Sequence, residues 1–290
     1  MKRLRILSGL ILLSAIALVG YIRVLNGRTN DNIAPTITMD QNEITINVQD
    51  DESVLLEGVT AQDNRDGDVT DSLTVDNIST FNRDGKRYVT IAAFDKSNNV
   101  GKATREITYK DYRPPHFDIT EPMIFTVGSS KFFNAITAND VLDGDVTGNI
   151  HFEDNTRLLT NEAGDYDVTI QVKNSAGDVA SLPLTITIMD NSYNEKPRVA
   201  LKHYVRYTKK NVKLNYKKLM DCVYIGNRKY ELVKGEEIEK ETIGRDRIRI
   251  NDDGVNYDKT GIYDVTYKLT VEQGEEKVTG TTKLIVVVED

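Results

Sequence analysis

The stretch that decides the fold is DNRDGDVT at Asp63–Thr70, because a second copy, DVLDGDVT, stands at Asp140–Thr147. The two copies begin 77 residues apart (140 − 63) and share the sequence Asp-Gly-Asp-Val-Thr. The similarity extends upstream, where GVTAQD leads into the first copy and AITAND into the second. A repeat of this length exceeds the roughly 20 to 50 residues of a solenoid unit and is typical of small domains that each bury their own core.

A glycine followed by an alternating strand pattern also recurs downstream. It reads GKRYVTI at Gly85–Ile91, GDYDVTI at Gly164–Ile170 and GIYDVTY at Gly261–Tyr267. Short runs rich in β-branched residues, separated by turn residues, predict an antiparallel β-sandwich for each repeat. We therefore divide the chain into a leading segment at residues 1–28, a tether at 29–34, and three β-domains at 35–110, 111–190 and 191–290.

The composition argues against several classes of function. A net charge of −8 and a pI near 5.1 are unsuited to nucleic-acid binding, which needs a basic face. The three histidines, His116, His151 and His203, are far apart in the sequence, and the chain has neither a nucleophile elbow nor a phosphate-binding loop. A single cysteine, Cys222, forms no internal disulfide. We expect no enzymatic activity.

The amino terminus predicts a membrane anchor. Basic residues at positions 2, 3 and 5 precede the apolar run Ile6–Ile22, which as a helix would nearly cross the hydrocarbon core. We expect residues 6–25 to contact the membrane, with the amino terminus in the cytoplasm and residues 29–290 extracellular. Cleavage after Ala17 is the alternative, because Ala15-Ile16-Ala17 has the small residues that a signal peptidase prefers.

The repeated residues resemble the bacterial immunoglobulin-like domains of Gram-positive surface proteins, which also occur in some pesticidal crystal proteins. Pro35, the Gly58–Asp63 run, the Asp66–Thr70 loop and the closing strand Thr104–Thr108 carry this resemblance. It covers residues 35–190 well and residues 197–290 only in two strands. The repeats, the apolar run and this resemblance together predict an all-β protein of three tandem immunoglobulin-like antiparallel β-sandwiches after one N-terminal transmembrane helix. The resemblance also implies a non-catalytic, extracellular spacer or binding module.

The acidic loops allow two interpretations. Their carboxylates are hard oxygen ligands that suit calcium, and the candidate ligands are Asp63, Asp66, Asp68, Asp140, Asp143 and Asp145. In the second interpretation, Asp66 and Gly67 form a tight turn and Asp68 hydrogen-bonds to the local backbone. We favour the turn because the spacing is not that of an EF-hand. We expect no cofactor, with calcium as the alternative.

A basic stretch in the third domain contrasts with the acidic chain. It interleaves tyrosines with cationic residues, namely Tyr204, Arg206, Tyr207, Lys209, Lys210, Lys213, Lys217 and Lys218. Such a surface would bind an anionic wall polymer, a carbohydrate or a partner protein. The alternative is a solvated face whose charge is balanced by Glu231–Glu241.

These features predict a membrane-anchored bacterial cell-surface protein that acts in adhesion or envelope interaction. Its first two domains would form a stalk and its third would bind a ligand or partner. Two alternatives remain, a secreted or assembled structural surface subunit and an accessory module to a wall-active enzyme.

Overall fold

The computed structural model describes residues 14–22, 31–153, 161–189, 196–236 and 238–290. Residues 14–22 form an α-helix, and most other regular structure is β-strand. The strands are β1 (Thr36–Met39), β2 (Glu43–Ile46), β3 (Val59–Asp63), β4 (Gly67–Asp68), β5 (Thr74–Ile78), β6 (Arg87–Phe94), β7 (Val100–Tyr109), β8 (His116–Ile119), β9 (Ile124–Thr126), β10 (Ile136–Asp140), β11 (Gly144–Asp145), β12 (His151–Phe152), β13 (Gly164–Lys173), β14 (Val179–Met189), β15 (Arg198–Leu201), β16 (Val205–Lys209), β17 (Met220–Ile225), β18 (Arg228–Val233), β19 (Thr242–Gly244), β20 (Arg249–Asn251), β21 (Gly261–Gln273) and β22 (Glu276–Glu289). Short 3₁₀ helices cover Glu52–Leu56, Thr70–Ser72, Phe132–Ala135, Thr147–Asn149, Tyr216–Lys218 and Arg245–Arg247.

The chain divides into two compact units, Met1–Tyr112 and Arg113–Asp290. The first unit contains the sheets β1-β3-β4 and β2-β7-β6-β5, which we call the first sheet pair. The second unit contains β11-β10-β8 with β12-β13-β14-β9, the second sheet pair, and β15-β17-β18-β19 with β16-β22-β21-β20, the third. The prediction of an all-β fold is confirmed. The separation of residues 111–190 from 191–290 as two domains stays a prediction.

The core of each unit lies between sheets, because alternate residues of the strands point inward. In the first unit, Val59 of β3 packs with Val89 and Ile91 of β6 and with Ile107 of β7. In the second unit, one continuous apolar cluster includes side chains from both sheet pairs. The two sheet pairs of this unit therefore share buried contacts.

The opening segment of each sheet pair changes sheets, and this corrects the prediction of purely antiparallel sandwiches. Strands β1, β8 and β15 pair antiparallel with β3, β10 and β17 in one sheet of each pair. The chain then crosses to the other sheet, where β2, β9 and β16 run parallel to the closing strands β7, β14 and β22. Strand β18 also pairs parallel with β19. By crossing over, one segment supplies an edge strand to both sheets and pairs with the strand that would otherwise be the edge.

The predicted localisation as a single-pass membrane protein, with residues 29–290 extracellular, is wrong. Within the described ranges, no helix combines the length and the apolar composition that crossing a membrane requires. The helix at residues 14–22 would extend about 14 Å, roughly half the thickness of a hydrocarbon core. The remainder of the predicted anchor, at residues 1–13 and 23–28, lies outside the described residues.

Candidate functional site

The first acidic loop connects β3 to β4 and is closed by hydrogen bonds from backbone amides to Asp63. The Oδ1 atom of Asp63 accepts from the amides of Arg65 and Asp66, both at 2.8 Å. These two bonds, from Asp66 first and then Arg65, lower the pKa of the Asp63 carboxyl. The loop turns at Gly67, whose φ of +77° lies in the left-handed region that glycine adopts at no steric cost.

The other two aspartates of this loop also accept hydrogen bonds from the backbone. Asp66 Oδ2 accepts from the amide of Lys96 at 2.8 Å, which joins the loop to the hairpin between β6 and β7. Asp68 Oδ1 accepts from the amide of Thr70 at 2.9 Å, in the local pattern of an aspartate turn. The bond of Asp68 is of the local kind that the turn interpretation expects, whereas the bond of Asp66 spans 30 residues.

The second acidic loop repeats the same bonds. Asp140 Oδ1 accepts from the amides of Leu142 and Asp143 at 2.9 and 3.0 Å. Asp143 accepts from the amide and the hydroxyl of Ser175 on the β13–β14 hairpin, each at 2.6 Å, and Asp145 Oδ1 accepts from the amide of Thr147 at 2.9 Å. The six predicted calcium ligands thus occupy two separate loops. For this set of six, the choice between turn and calcium stays a prediction.

We expect the exposed turn aspartates to make the fold acid-sensitive. Hydrogen bonds from Thr70 lower the pKa of Asp68, and hydrogen bonds from Thr147 lower the pKa of Asp145. A carboxyl with a lowered folded-state pKa stabilises the fold above its unfolded pKa of about 3.9, and this stability is lost as the pH falls through the folded value. The melting temperature should be flat from about pH 5 to 7 and fall below about pH 4. The double variant Asp68→Asn/Asp145→Asn should show a shallower acid limb in calorimetry, and an unchanged limb would contradict this account.

The tyrosines of the predicted basic stretch face the junction between the second and third sheet pairs. Tyr204 is buried, and its amide donates to the carbonyl of Ile119 at 2.7 Å. The Tyr207 hydroxyl accepts from the amide of Phe117 at 2.9 Å, and its ring stacks on His116 with centroids 3.6 Å apart. Burial raises the pKa of both tyrosines to about 12. These side chains therefore join the two sheet pairs, and their predicted role in ligand binding stays a prediction.

Two histidines contact carboxylates at the same junction. His116 Nε2 lies 2.7 Å from Glu289 Oε1, and His203 Nδ1 lies 2.8 Å from Asp118 Oδ1. His151 lies elsewhere, with Nδ1 2.9 Å from the carbonyl of Asn149. Each histidine thus has a structural partner.

The cations of the predicted basic stretch lie mainly on the surface. Lys217 pairs with Asp246 at 2.6 Å, and Lys210 pairs with Asp290. Arg206 is half-buried, and the exposed lysines are Lys209, Lys210, Lys213, Lys217 and Lys218. The stretch therefore separates into a tyrosine layer, buried at Tyr204 and half-buried at Tyr207, and a solvated lysine face.

A cleft of about 1170 Å³ lies between the second and third sheet pairs. One wall is an exposed polar row on β13 and β14, in which the Thr185 and Thr187 hydroxyls donate to Asp167 and Asp165 at 2.8 and 2.6 Å. Lys283 of β22 reaches across and donates from Nζ to Thr185 Oγ1 at 3.1 Å. The cleft therefore spans both sheet pairs.

The opposite wall of the cleft carries aromatic rings. Tyr224 of β17 and Tyr263 of β21 line it, and the Arg198 guanidinium lies 5.8 Å from the centroid of the Tyr224 ring. These residues could not be identified from the sequence, because the cleft forms only where two sheet pairs meet. No short sequence pattern marks such a junction.

No protein-family model matches the chain. A protein of Acholeplasma phage L2 described as "Uncharacterized 81.3 kDa protein" is 27% identical over 182 residues, which cover 57% of this chain and 24% of the phage protein. The chain thus spans about a quarter of that relative.

Among solved structures, the CBM51-2 and INT domains of Clostridium perfringens ZmpB, in complex with GlcNAc, overlap with 51% of this chain and 26% of theirs, at a TM-score of 0.21 and 14% identity. The protocadherin GammaB4 extracellular domain overlaps with 90% of this chain and 50% of its own, at a TM-score of 0.20 and 13% identity. TM-scores this low support no inference about the fold or the ligand of this chain.

Proposed function

We propose that the chain is a non-catalytic binding protein built from tandem immunoglobulin-like modules, in which the cleft between the second and third sheet pairs holds the ligand. The observation that carries this proposal is the cleft itself, which is bounded by polar side chains on one wall and tyrosine rings on the other. Large concave sites with a few convergent polar groups are the usual places for ligands. The hydrogen bonds of Tyr204 and Tyr207 hold the two walls together.

The chemistry of the lining favours a carbohydrate over an anionic polymer. The lining holds four acidic side chains and three basic ones, so it offers a polyanion no net attraction; these residues are Glu153, Asp165, Asp167 and Asp264, and Lys196, Arg198 and Lys283. Hydroxyl groups of a sugar would exchange hydrogen bonds with the aspartate–threonine row, and an apolar sugar face would pack on Tyr224 or Tyr263. The solvated lysine face lies on a different part of the third sheet pair and is not needed for this contact.

Glycan-array binding by the full chain tests this proposal. Tyr224→Ala and Asp167→Asn should each weaken binding to the selected glycan by about tenfold or more, because central aromatic and hydrogen-bonding side chains dominate binding energy. Tyr88→Ala, which removes an exposed tyrosine of the first sheet pair, is the matched control and should bind as the parent chain does. Absence of any bound glycan, or equal loss in the control, would reject the proposal.

A further inference from the structure

Three aspartates from separate segments of the first unit converge on one buried position. Asp31 precedes β1, Asp63 ends β3 and Asp95 follows β6. Their exposed fractions are 6, 7 and 6%, and one carboxylate oxygen from each lies within 4.8 Å of the other two. Three buried carboxylates this close repel one another unless a cation lies between them.

Two oxygens of this cluster have no hydrogen-bond partner among the described residues. They are Asp31 Oδ2 and Asp63 Oδ2, and both are inaccessible to solvent. The ion pair found for the cluster within the described ranges joins Arg65 Nε to Asp31 Oδ2 at 3.8 Å, and the Arg65 side chain is 42% exposed. One partly solvated guanidinium does not balance three buried carboxylates, so the cluster retains an excess of negative charge.

The remaining oxygens of the cluster are held in place by neutral donors. Asp31 Oδ1 accepts from the amide of Ile33 at 3.1 Å. Asp95 accepts from Asn99 through both oxygens, at 2.7 Å from the amide and 2.6 Å from Nδ2. Asn99 Nδ2 also donates to the carbonyl of Asp31 at 3.0 Å, which ties the entering segment to the hairpin. The carboxylates are therefore positioned before any ion arrives.

The second sheet pair provides an internal comparison in which the same place needs no ion. Asp140 corresponds to Asp63, and Asn174 stands at the start of the β13–β14 hairpin where Asp95 stands in the first copy. The Asn174 amide donates from Nδ2 to Asp140 Oδ2 at 3.2 Å. A neutral donor thus satisfies the oxygen whose counterpart in the first copy has no partner.

Gly101, near the start of β7, allows the segment before β1 to approach the aspartate cluster. A Cβ atom on Gly101 would lie 1.9 Å from the carbonyl oxygen of Pro35, so only glycine permits this approach. Ala180 occupies the matching position in the second copy. The first sheet pair therefore combines the third carboxylate, that of Asp95, with the close approach of the segment that carries Asp31.

We propose that Asp31, Asp63 and Asp95 bind one calcium ion, which links the segment before β1 to the loop after β3 and to the hairpin after β6. All donors are hard oxygens, which excludes the soft and borderline metals that select sulfur or imidazole. A protein cage with three carboxylates suits calcium, whereas magnesium usually keeps several waters and binds through one or two carboxylates. This ligand set shares only Asp63 with the six aspartates predicted from the sequence.

Calcium titration of the EDTA-treated full chain tests this site. Calorimetry should detect one bound ion per chain, and saturating calcium should raise the melting temperature of the first unit by about 5 °C or more. Asp95→Asn should abolish the binding heat and the shift. This variant should also fold, because it recreates the asparagine–aspartate pair of Asn174 and Asp140 and relieves repulsion in the calcium-free state.

Asp84→Asn is the control, since it removes one exposed carboxylate of the first unit, and it should bind calcium as the parent chain does. The proposal is overturned if calcium gives neither heat nor a thermal shift, or if Asp95→Asn binds with the affinity of the parent chain. Equal binding of magnesium at the same concentration would overturn the assignment to calcium. A failure of glycan binding would leave these outcomes unaffected.

Discussion

Replacing Gly280 with valine is expected to lower the melting temperature of the second unit by roughly 10 °C. Gly280 is a buried residue of β22, and a Cβ atom there would lie 1.6 Å from the carbonyl oxygen of Pro197 and 2.7 Å from its carbonyl carbon. Both are backbone atoms, so the opening segment of the third sheet pair would have to move. Overpacking of this kind costs about 3 kcal/mol, which corresponds to about 6 to 12 °C in a unit of this size.

Calorimetry of the full chain measures this effect, and Thr281→Val is the matched control. Thr281 is the exposed neighbour of Gly280 on the same strand, where a β-branched residue fits well. We expect the control to change the melting temperature by less than about 2 °C. If Gly280→Val also changed the melting temperature by less than about 2 °C, the segment at Pro197 would be able to move without loss of stability.

Replacing Arg105 with leucine should destabilise the first unit by about 3 kcal/mol. Arg105 is 1% exposed, and its guanidinium donates to the carbonyls of Gln41, Leu55 and Glu57 at 2.9, 3.1 and 3.0 Å. Burial lowers the pKa of Arg105, but an arginine remains protonated. Removing it leaves three carbonyls without this donor, and that of Leu55 lies in the buried part of the site.

The other two copies make leucine the informative replacement. Leu184 and Leu284 occupy the matching positions on β14 and β22, where they are part of the apolar core. If apolar volume alone mattered, Arg105→Leu would be neutral or stabilising. Denaturant unfolding of the full chain decides this, with Lys102→Leu as the control. Lys102 lies on the same strand as Arg105 and forms an exposed ion pair with Asp76 of β5, and its loss should cost less than about 1 kcal/mol.

The long hairpins were predictable because their information is local. Gly85–Ile91, Gly164–Ile170 and Gly261–Tyr267 each contain the alternation of a half-buried strand, and each lies in or beside the first strand of the closing hairpin. The crossing of the opening segment between sheets was not predictable. It depends on which edge is open after the sandwich has formed, and that edge belongs to a strand about 60 to 80 residues away.

The candidate sites were only partly predictable for the same reason. Asp63 was identified from the repeated loop, but Asp31 lies in the predicted tether and Asp95 opens a hairpin, so no spacing links the three. Tyr204 and Tyr207 were identified as exposed binding residues because they alternate with cations. The structure places them at a junction, which forms only through packing against the second sheet pair.

The parallel pairing of opening and closing strands determines how each sheet pair responds to a pulling force. β16 and β22 are parallel. When the two ends of the third sheet pair are pulled apart, the two strands are therefore drawn in opposite directions along their length. Five aligned residue pairs, from Val205–Ile285 to Lys209–Glu289, are then loaded in shear. Hydrogen bonds in shear must break together, whereas those at the end of an antiparallel hairpin open one at a time. The sheet-crossing segment thus resists a pulling force through the barrier to unfolding, which is a different quantity from the equilibrium free energy of unfolding.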